Sequence, residues 1–361
     1  NMVLGIAFGT AVTNIRNRRL ENYRGTYHQI KLEDIVDGVP TEFPVMKNRF
    51  AQTSQSNFSK IPGSPVAYWA SEHFVQIFEG AMLYDVAQVQ EGLKTGDNDR
   101  FIRFWNEVDF KKTLMSGNSN AKWIYHTKGG DYKKWYGNQE CVLNFQNDGE
   151  ELRAYKGSSL TGYQNYGKAN ISYSRITSAK TAFRYTAEGA IPNMAGLAIY
   201  TSDDLIFYIL GWLNTEIACD ILSLTNPTIN FPPGTIGRLP ILIEDSVKSE
   251  VSSISKDCVE QAKQDWDSFE TSWDFKRNPL LCYGISIYSG LGDMQANGTY
   301  PKLSGFLYEK TATSEKYIEV DAPKNYYLNT SYAMWKQECE TRFQQLKQNE
   351  EELNRIFIDI Y

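Results

Sequence analysis

Tyr84-Asp85-Val86-Ala87-Gln88-Val89-Gln90-Glu91-Gly92-Leu93-Lys94-Thr95-Gly96-Asp97-Asn98-Asp99-Arg100-Phe101 is the stretch on which the reading of this chain turns. Residues 84–89 carry a period-two apolar alternation, the pattern of a half-buried strand. Gly92, Gly96 and the run Asp97-Asn98-Asp99 then break the alternation, so the strand opens into a turn-rich loop of mixed charge. Loops carried on a rigid strand are where side chains are presented to partners.

Outward from this loop the signals alternate between strand and helix, and the chain reads as α+β. Over residues 1–80, 26–32 alternate like a strand, and Ile61-Pro62-Gly63-Ser64-Pro65 breaks the chain before an entry helix within 67–78. Phe74, Ile77 and Phe78 share one face of that helix, and His73 reads as a boundary residue rather than a ligand. From 81 to 245, short strands are predicted at 142–145, 171–174 and 239–243, with glycine connections at Gly129-Gly130, Gly157 and Gly162. One strong helix over 202–214 interrupts them, with Ser202 as its N-cap and Asp203 and Asp204 in its first turn.

Beyond 245 the period changes. Val247, Val251, Ile254, Cys258, Ala262 and Phe269 mark one long amphipathic helix, and Met334, Cys339, Phe343, Leu346, Leu353, Ile356 and Phe357 a second. Together they predict an antiparallel helical arm over 246–361, with 278–325 as a Gly-, Tyr- and Ser-rich excursion between them. The compact apolar run at residues 2–14, followed by Arg16-Asn17-Arg18-Arg19, reads as a strand cut from a preceding sheet.

Composition narrows the function classes. Five widely spaced cysteines with no CxxC pair give neither a disulfide framework nor a structural zinc site, which fits a reducing cytoplasm. No apolar run reaches the ~20 residues of a membrane span, and no signal-peptide layout is present, so a soluble protein without a membrane partner is expected. The aromatic content of 14%, with 23 Tyr, suits either a thick mixed core or a surface that stacks on flat ligands. Net charge is −6, but residues 94–184 hold 15 Lys/Arg against 9 Asp/Glu, an excess of six that leaves the rest at −12. A module that opens with the informative loop and concentrates positive charge is suited to phosphate.

Catalytic and cofactor motifs are missing. The three histidines, His28, His73 and His126, form no HExxH, and no G-x-S-x-G elbow, phosphate loop or G-x-G-x-x-G turn occurs. No catalytic, metal-binding or cofactor-binding residue is therefore assigned within the chain.

The loop at 90–101 resembles the start of the target-recognition region of large adenine-specific DNA methyltransferases: the single-chain type IIG restriction-modification enzymes and their BREX-type phage-exclusion relatives. Further segments are similar in the same order: Lys133-Lys134-Trp135-Tyr136-Gly137-Asn138, residues 172–178, 224–228 and 234–240, Asp265-Trp266-Asp267-Ser268-Phe269-Glu270, and 350–361. The resemblance covers most of the chain. It implies a residual end of the methyltransferase sheet plus connecting elements at 1–80, a DNA target-recognition domain at 81–245 and the helical arm at 246–361. It also implies that S-adenosylmethionine and the catalytic tetrad belong to an upstream methyltransferase domain of the same polypeptide, since Asn226-Pro227-Thr228 lacks the second proline and the aromatic of that tetrad.

By the same analogy, loops enter the major groove of double-stranded DNA while the arm fixes spacing or docks on the catalytic domain. Bases are then read by Arg, Lys, Asn and Gln, and phosphates held by Lys, Arg and Ser. The implied DNA contacts fall in three groups. Lys94, Thr95, Asn98, Arg100 and Arg103 form the first, Lys133, Lys134 and Trp135 the second, and Arg175, Thr177, Ser178 and Lys180 the third. The bland alternative for the first is that Asp97 and Asp99 neutralise the loop and Asn98 makes an Asx turn. Three rival readings stand beside DNA recognition. The parent could be a type IIG enzyme that also cleaves DNA, the chain could be a carbohydrate-binding or protein-interaction module, or the arm could recruit other defence-system proteins.

Overall fold

The computed structural model describes residues 11–18, 20, 23–117, 120–178, 180–226, 228–281, 304–310, 315–321 and 328–361. The apolar run at 2–14 falls largely outside them, and 11–14 form neither helix nor strand. The architecture is α+β, with two four-stranded sheets, small two-stranded ribbons, and helices gathered on one face of the first sheet.

β1 (Arg24–His28) pairs antiparallel with β4 (Arg49–Ser54). Between them lie β2 (Ile35–Val36) and β3 (Val39–Pro40), joined by Asp37-Gly38 with both residues at positive φ, the geometry of a tight hairpin turn. The strand predicted over 26–32 starts earlier and stops at His28, because the Asp34 carboxylate accepts the Lys31 N–H at 2.9 Å and starts a 3-10 turn there. The entry helix is shorter than its apolar stripe. α1 (Glu72–Gln76) is capped by Ser71, which accepts the Phe74 N–H at 3.0 Å, and tightens into a 3-10 turn at Ile77–Glu79.

The strand predicted over 84–89 divides in two. Its first half is α2 (Leu83–Val86), because the Asp85 carboxylate accepts the Met82 N–H at 2.7 Å and closes a helical turn; only β5 (Gln88–Gln90) is extended. Then come α3 (Asn98–Phe101), β6 (Ile102–Phe104), β7 (Trp123–Thr127), β8 (Cys141–Asn144), α4 (Gln146–Ala154), β9 (Asn170–Ser174), β10 (Phe183–Thr186), β11 (Ala190–Pro192) and β12 (Gly196–Tyr200). The first large sheet runs β10-β9-β12-β5, all antiparallel. The second runs β11-β7-β8-β6, with β11 parallel to β7.

Alternation gives the first sheet two unlike faces. Phe183, Tyr173, Leu197, Ile171, Ile199 and Val89 are buried in the main core against α5 (Ile206–Leu213), in which every residue but Phe207 is buried. The helix predicted over 202–214 begins at Ile206, and the Ser202 carbonyl accepts the Leu205 and Ile206 N–H groups ahead of it. The opposite face is polar yet also buried, carrying Asn170, Ser172, Arg184 and Thr186. Residues 127–139 and 161–168 cover it, with Gln139 donating to the Tyr185 carbonyl and Asn165 to Gln88 Oε1. The second sheet has its own smaller core of Leu93, Phe101, Ile102, Leu143, Phe145, Leu152 and Ile191.

α6 (Glu216–Thr225) and α7 (Pro233–Gly237) lead to residues 239–243, which make one isolated bridge, Met82 to Pro240, instead of the predicted strand. Pro240 has no N–H to give, and its carbonyl accepts the Tyr361 hydroxyl at 2.9 Å. α8 (Asp245–Asp267), the hairpin β13 (Ser304–Lys310) with β14 (Glu315–Asp321), and α9 (Leu328–Ile360) complete the chain. The two long helices pack antiparallel, as their stripes predict, with Asn349 donating to Asp257 at 2.6 Å. The end of α9 enters the main core, where Phe357 meets Tyr208 edge-on and Tyr361 lies parallel to Trp212.

Among the described residues no single helix is long and apolar enough to cross a membrane. α5 and α6 satisfy that test only as a pair bent by 70°, and their apolar residues fill the core. Four of the five cysteines are described, and all four are free thiols.

Candidate nucleic-acid interface

Four strand ends converge on one groove of about 600 Å³. It is lined by the loop leaving β5 (Lys94 to Asn98), the end of β7 (Lys128, Gly130), the end of β9 (Ser174 to Ile176) and the β11–β12 connection (Asn193 to Ala195). Close backbone contact holds the β5 loop here. Leu93 N–H reaches the Pro192 carbonyl at 2.8 Å, and Lys94 exchanges two backbone hydrogen bonds with Ser159. Gly92 permits the approach, since a Cβ there would sit 2.0 Å from the Pro192 oxygen. Gly96, at φ +75°, turns the chain against Gly157 where a side chain would be strained.

Within the loop, Thr95 is buried and its hydroxyl donates to Asn98 Oδ1 at 2.6 Å. Asp97, rather than Asn98, caps α3 by accepting the Arg100 N–H at 3.1 Å, and it also receives the Tyr155 hydroxyl. Lys94 and Asn98 are exposed, and Lys94 has no ion pair among the described residues. Arg100 and Arg103 lie beside the groove and are engaged elsewhere. Arg100 donates to Glu151 through Nε (2.8 Å) and Nη2 (2.5 Å), and those bonds hold its guanidinium above its ordinary range. Arg103 donates to the carbonyls of Ile102, at 2.7 Å, and Asp99.

Arg175 lines the groove and is paired with Glu91. Thr177 and Ser178 line a separate hollow of about 320 Å³ with Asn226 and Thr228. Lys133, Lys134, Trp135 and Lys180 belong to a third space, a cleft of about 620 Å³ between the β7–β8 connection, α8 and α9. There Lys134 pairs with Glu350 at 2.9 Å, Lys180 with Glu216 at 2.6 Å, and Lys133 Nζ stands 5.9 Å from the Trp266 ring centre. Trp135 is 1% exposed and donates its indole N–H to Glu350 at 2.6 Å; its backbone, at φ +68°, bonds to β10 on both sides.

Three residues at or behind the groove are not among those the sequence singles out. Lys128 is exposed on the Gly129-Gly130 turn and unpaired among the described residues. Asn193, buried at the groove floor, donates to His126 Nε2 at 3.1 Å and accepts the Ala195 N–H at 2.9 Å. His126 donates from Nδ1 to the Ile191 carbonyl at 2.7 Å, and burial pushes its pKa down to about 4, so the ring is neutral and orients Asn193. The third is Arg184, behind Ser174. The Gly-Gly signal beside Lys128 was the one available cue. Among the described residues no group of three metal-ligating side chains occurs.

Comparison with known proteins adds a lineage. No family model matches the chain. The chain is a relative of two adenine-specific methyltransferases. It is 29% identical, over 96% of its length, to the adenine-specific methyltransferase PglX of Lacticaseibacillus casei (strain Zhang), and 31% identical, over 81%, to the adenine-specific methyltransferase BrxX of Escherichia coli O9:H4 (strain HS). It spans 28% and 26% of these proteins, about a quarter of their length.

Proposed function

We propose that this chain is the target-recognition region of an S-adenosylmethionine-dependent, adenine-specific DNA methyltransferase of a bacterial restriction or phage-exclusion (BREX-type) system, acting in the cytoplasm. Residues 81–245 form the DNA-reading domain in this proposal, and 246–361 brace it. The methyl donor and the catalytic tetrad belong to the methyltransferase domain of the same polypeptide. The parent extrudes an adenine there, because its exocyclic amine is unreachable while stacked in the duplex.

The observation that carries this reading is the groove at the meeting of four strand ends. It offers two exposed lysines without ion-pair partners, Lys94 and Lys128, beside the Asn98 amide, in a relative of proteins named adenine-specific methyltransferases. Lysines of this kind hold phosphates, and an asparagine amide matches the N6/N7 edge of adenine. The experiment is fluorescence anisotropy of the chain with a mixed-sequence duplex between roughly 50 and 200 mM salt. The proposal expects binding that weakens steeply over that interval, and Lys94→Ala lowers affinity for all sequences alike. Salt-independent binding, or none at low salt, contradicts it.

A further inference from the structure

Arg184 is 2% exposed, in the polar face of the first sheet, with its Cα opposite that of Ser172. A buried charge is costly unless paired, and buried arginines are normally matched to a carboxylate. Among the described residues Arg184 has no carboxylate within ion-pair distance. Its two protein bonds are long, Nη1 to the Lys133 carbonyl at 3.2 Å and Nη2 to Ser174 Oγ at 3.4 Å. Burial alone lowers its pKa, to about 10, so it remains a cation. Ser174 in turn donates to the Gly130 carbonyl at 3.1 Å, and both Ser174 and Gly130 line the groove. Two carboxylates of the β5 loop are committed, Asp97 to the cap of α3 and to Tyr155, and Glu91 to Arg175. The groove thus has a buried, anion-poor cation behind one wall and exposed Lys128 at its mouth.

We propose that Arg184 is the positioning cation of a phosphate site in the groove, at which one tetrahedral oxyanion accepts from Lys128 and from Ser174, whose hydroxyl hydrogen turns from the Gly130 carbonyl to the oxyanion while its oxygen still accepts from the Arg184 guanidinium behind it. This rests on the nucleic-acid reading for its natural ligand, a backbone phosphate of DNA, but the site's chemistry is that of any phosphate monoanion or dianion. Removing a buried, unmatched charge leaves the fold as stable or more stable, so Arg184→Met separates binding from stability.

The test uses inorganic phosphate as the probe, with chloride at matched ionic strength as control, on the 361-residue chain and its Arg184→Met and Ser174→Ala variants. The unaltered chain gains thermal stability with phosphate beyond chloride. Arg184→Met holds or raises the melting temperature without phosphate, yet needs on the order of tenfold more phosphate for the same gain. Ser174→Ala, which cuts the link between guanidinium and groove, weakens the response in the same direction and decides the matter if Arg184→Met does not fold. An undiminished response in whichever variant folds, or none in the parent chain, overturns the site. Duplex titrations separate the two levels of argument. A phosphate response without DNA binding leaves the site standing and removes nucleic acid as its ligand. Salt-dependent DNA binding with an unchanged slope in Arg184→Met removes Arg184 and leaves the nucleic-acid reading intact; the proposal predicts a slope shallower by about one.

Discussion

The groove between the strand ends and the cleft beside the long helices are nearly equal in size, about 600 and about 620 Å³, and both are lined by lysines. Most of the cleft's lysines are held by carboxylates, Lys133 over the Trp266 ring excepted, and the groove's are not. In the cleft, Lys134 and Lys180 are held by Glu350 and Glu216, and Trp135 shares the Glu350 carboxylate. In the groove, Lys94 and Lys128 project unpaired, while Asp97 caps a helix and Glu91 binds Arg175. Counting basic residues finds both regions; only the partners distinguish a joint that holds two parts together from a surface with charge to offer.

If this contrast is right, changes in the cleft act on stability and changes in the groove act on binding. The largest effect is expected for Trp135→Ala, which empties a fully buried indole site where β10 meets the helices and costs about 3–5 kcal/mol in denaturant unfolding. A cost below about 1 kcal/mol would mean that the cleft is not a structural joint.

Next comes a pH effect at the groove floor. His126 titrates near its ordinary 6.5 when unfolded but near 4 when folded, so across that interval the folded chain binds fewer protons than the unfolded one. Stability is full above about pH 6.5 and falls as the pH drops toward 4, by about 3 kcal/mol for this group. Unfolding curves at several pH values check this, and His126→Gln flattens the dependence; an equal slope in the variant would place the sensitivity elsewhere. A smaller change is expected for Glu350→Gln, which keeps an acceptor for Trp135 and loses the Lys134 ion pair. The pair is partly exposed, at 18% and 29%, so the cost is about 1 kcal/mol, with no change in duplex binding.

The features legible in the sequence are those set by neighbours along the chain. The periodicity through Val251, Ile254, Cys258 and Ala262, and its counterpart through Leu346 and Leu353, produces the two long helices and their antiparallel packing, whereas Phe269, the last residue of the first stripe, lies beyond the end of α8 and is exposed. Gly92 and Gly96 announce a tight loop, and it is the loop at the groove. Two strands failed for local reasons that alternation does not weigh: Asp85 closes a helical turn within 84–89, and Pro240 cannot extend a ladder through 239–243. The fate of each charge was not legible at all. Lys134 meets its carboxylate 216 residues downstream, and Arg184, between Phe183 and Tyr185, is buried.

The most direct test of the central contrast is the salt dependence of duplex binding by two double variants, Lys94→Ala with Lys128→Ala in the groove and Lys134→Ala with Lys180→Ala in the cleft. Each lost phosphate contact lowers the slope of log affinity against log salt by about one. The account predicts a slope shallower by about two in the groove variant and unchanged in the cleft variant. An equal loss in both, or a loss confined to the cleft, would contradict it.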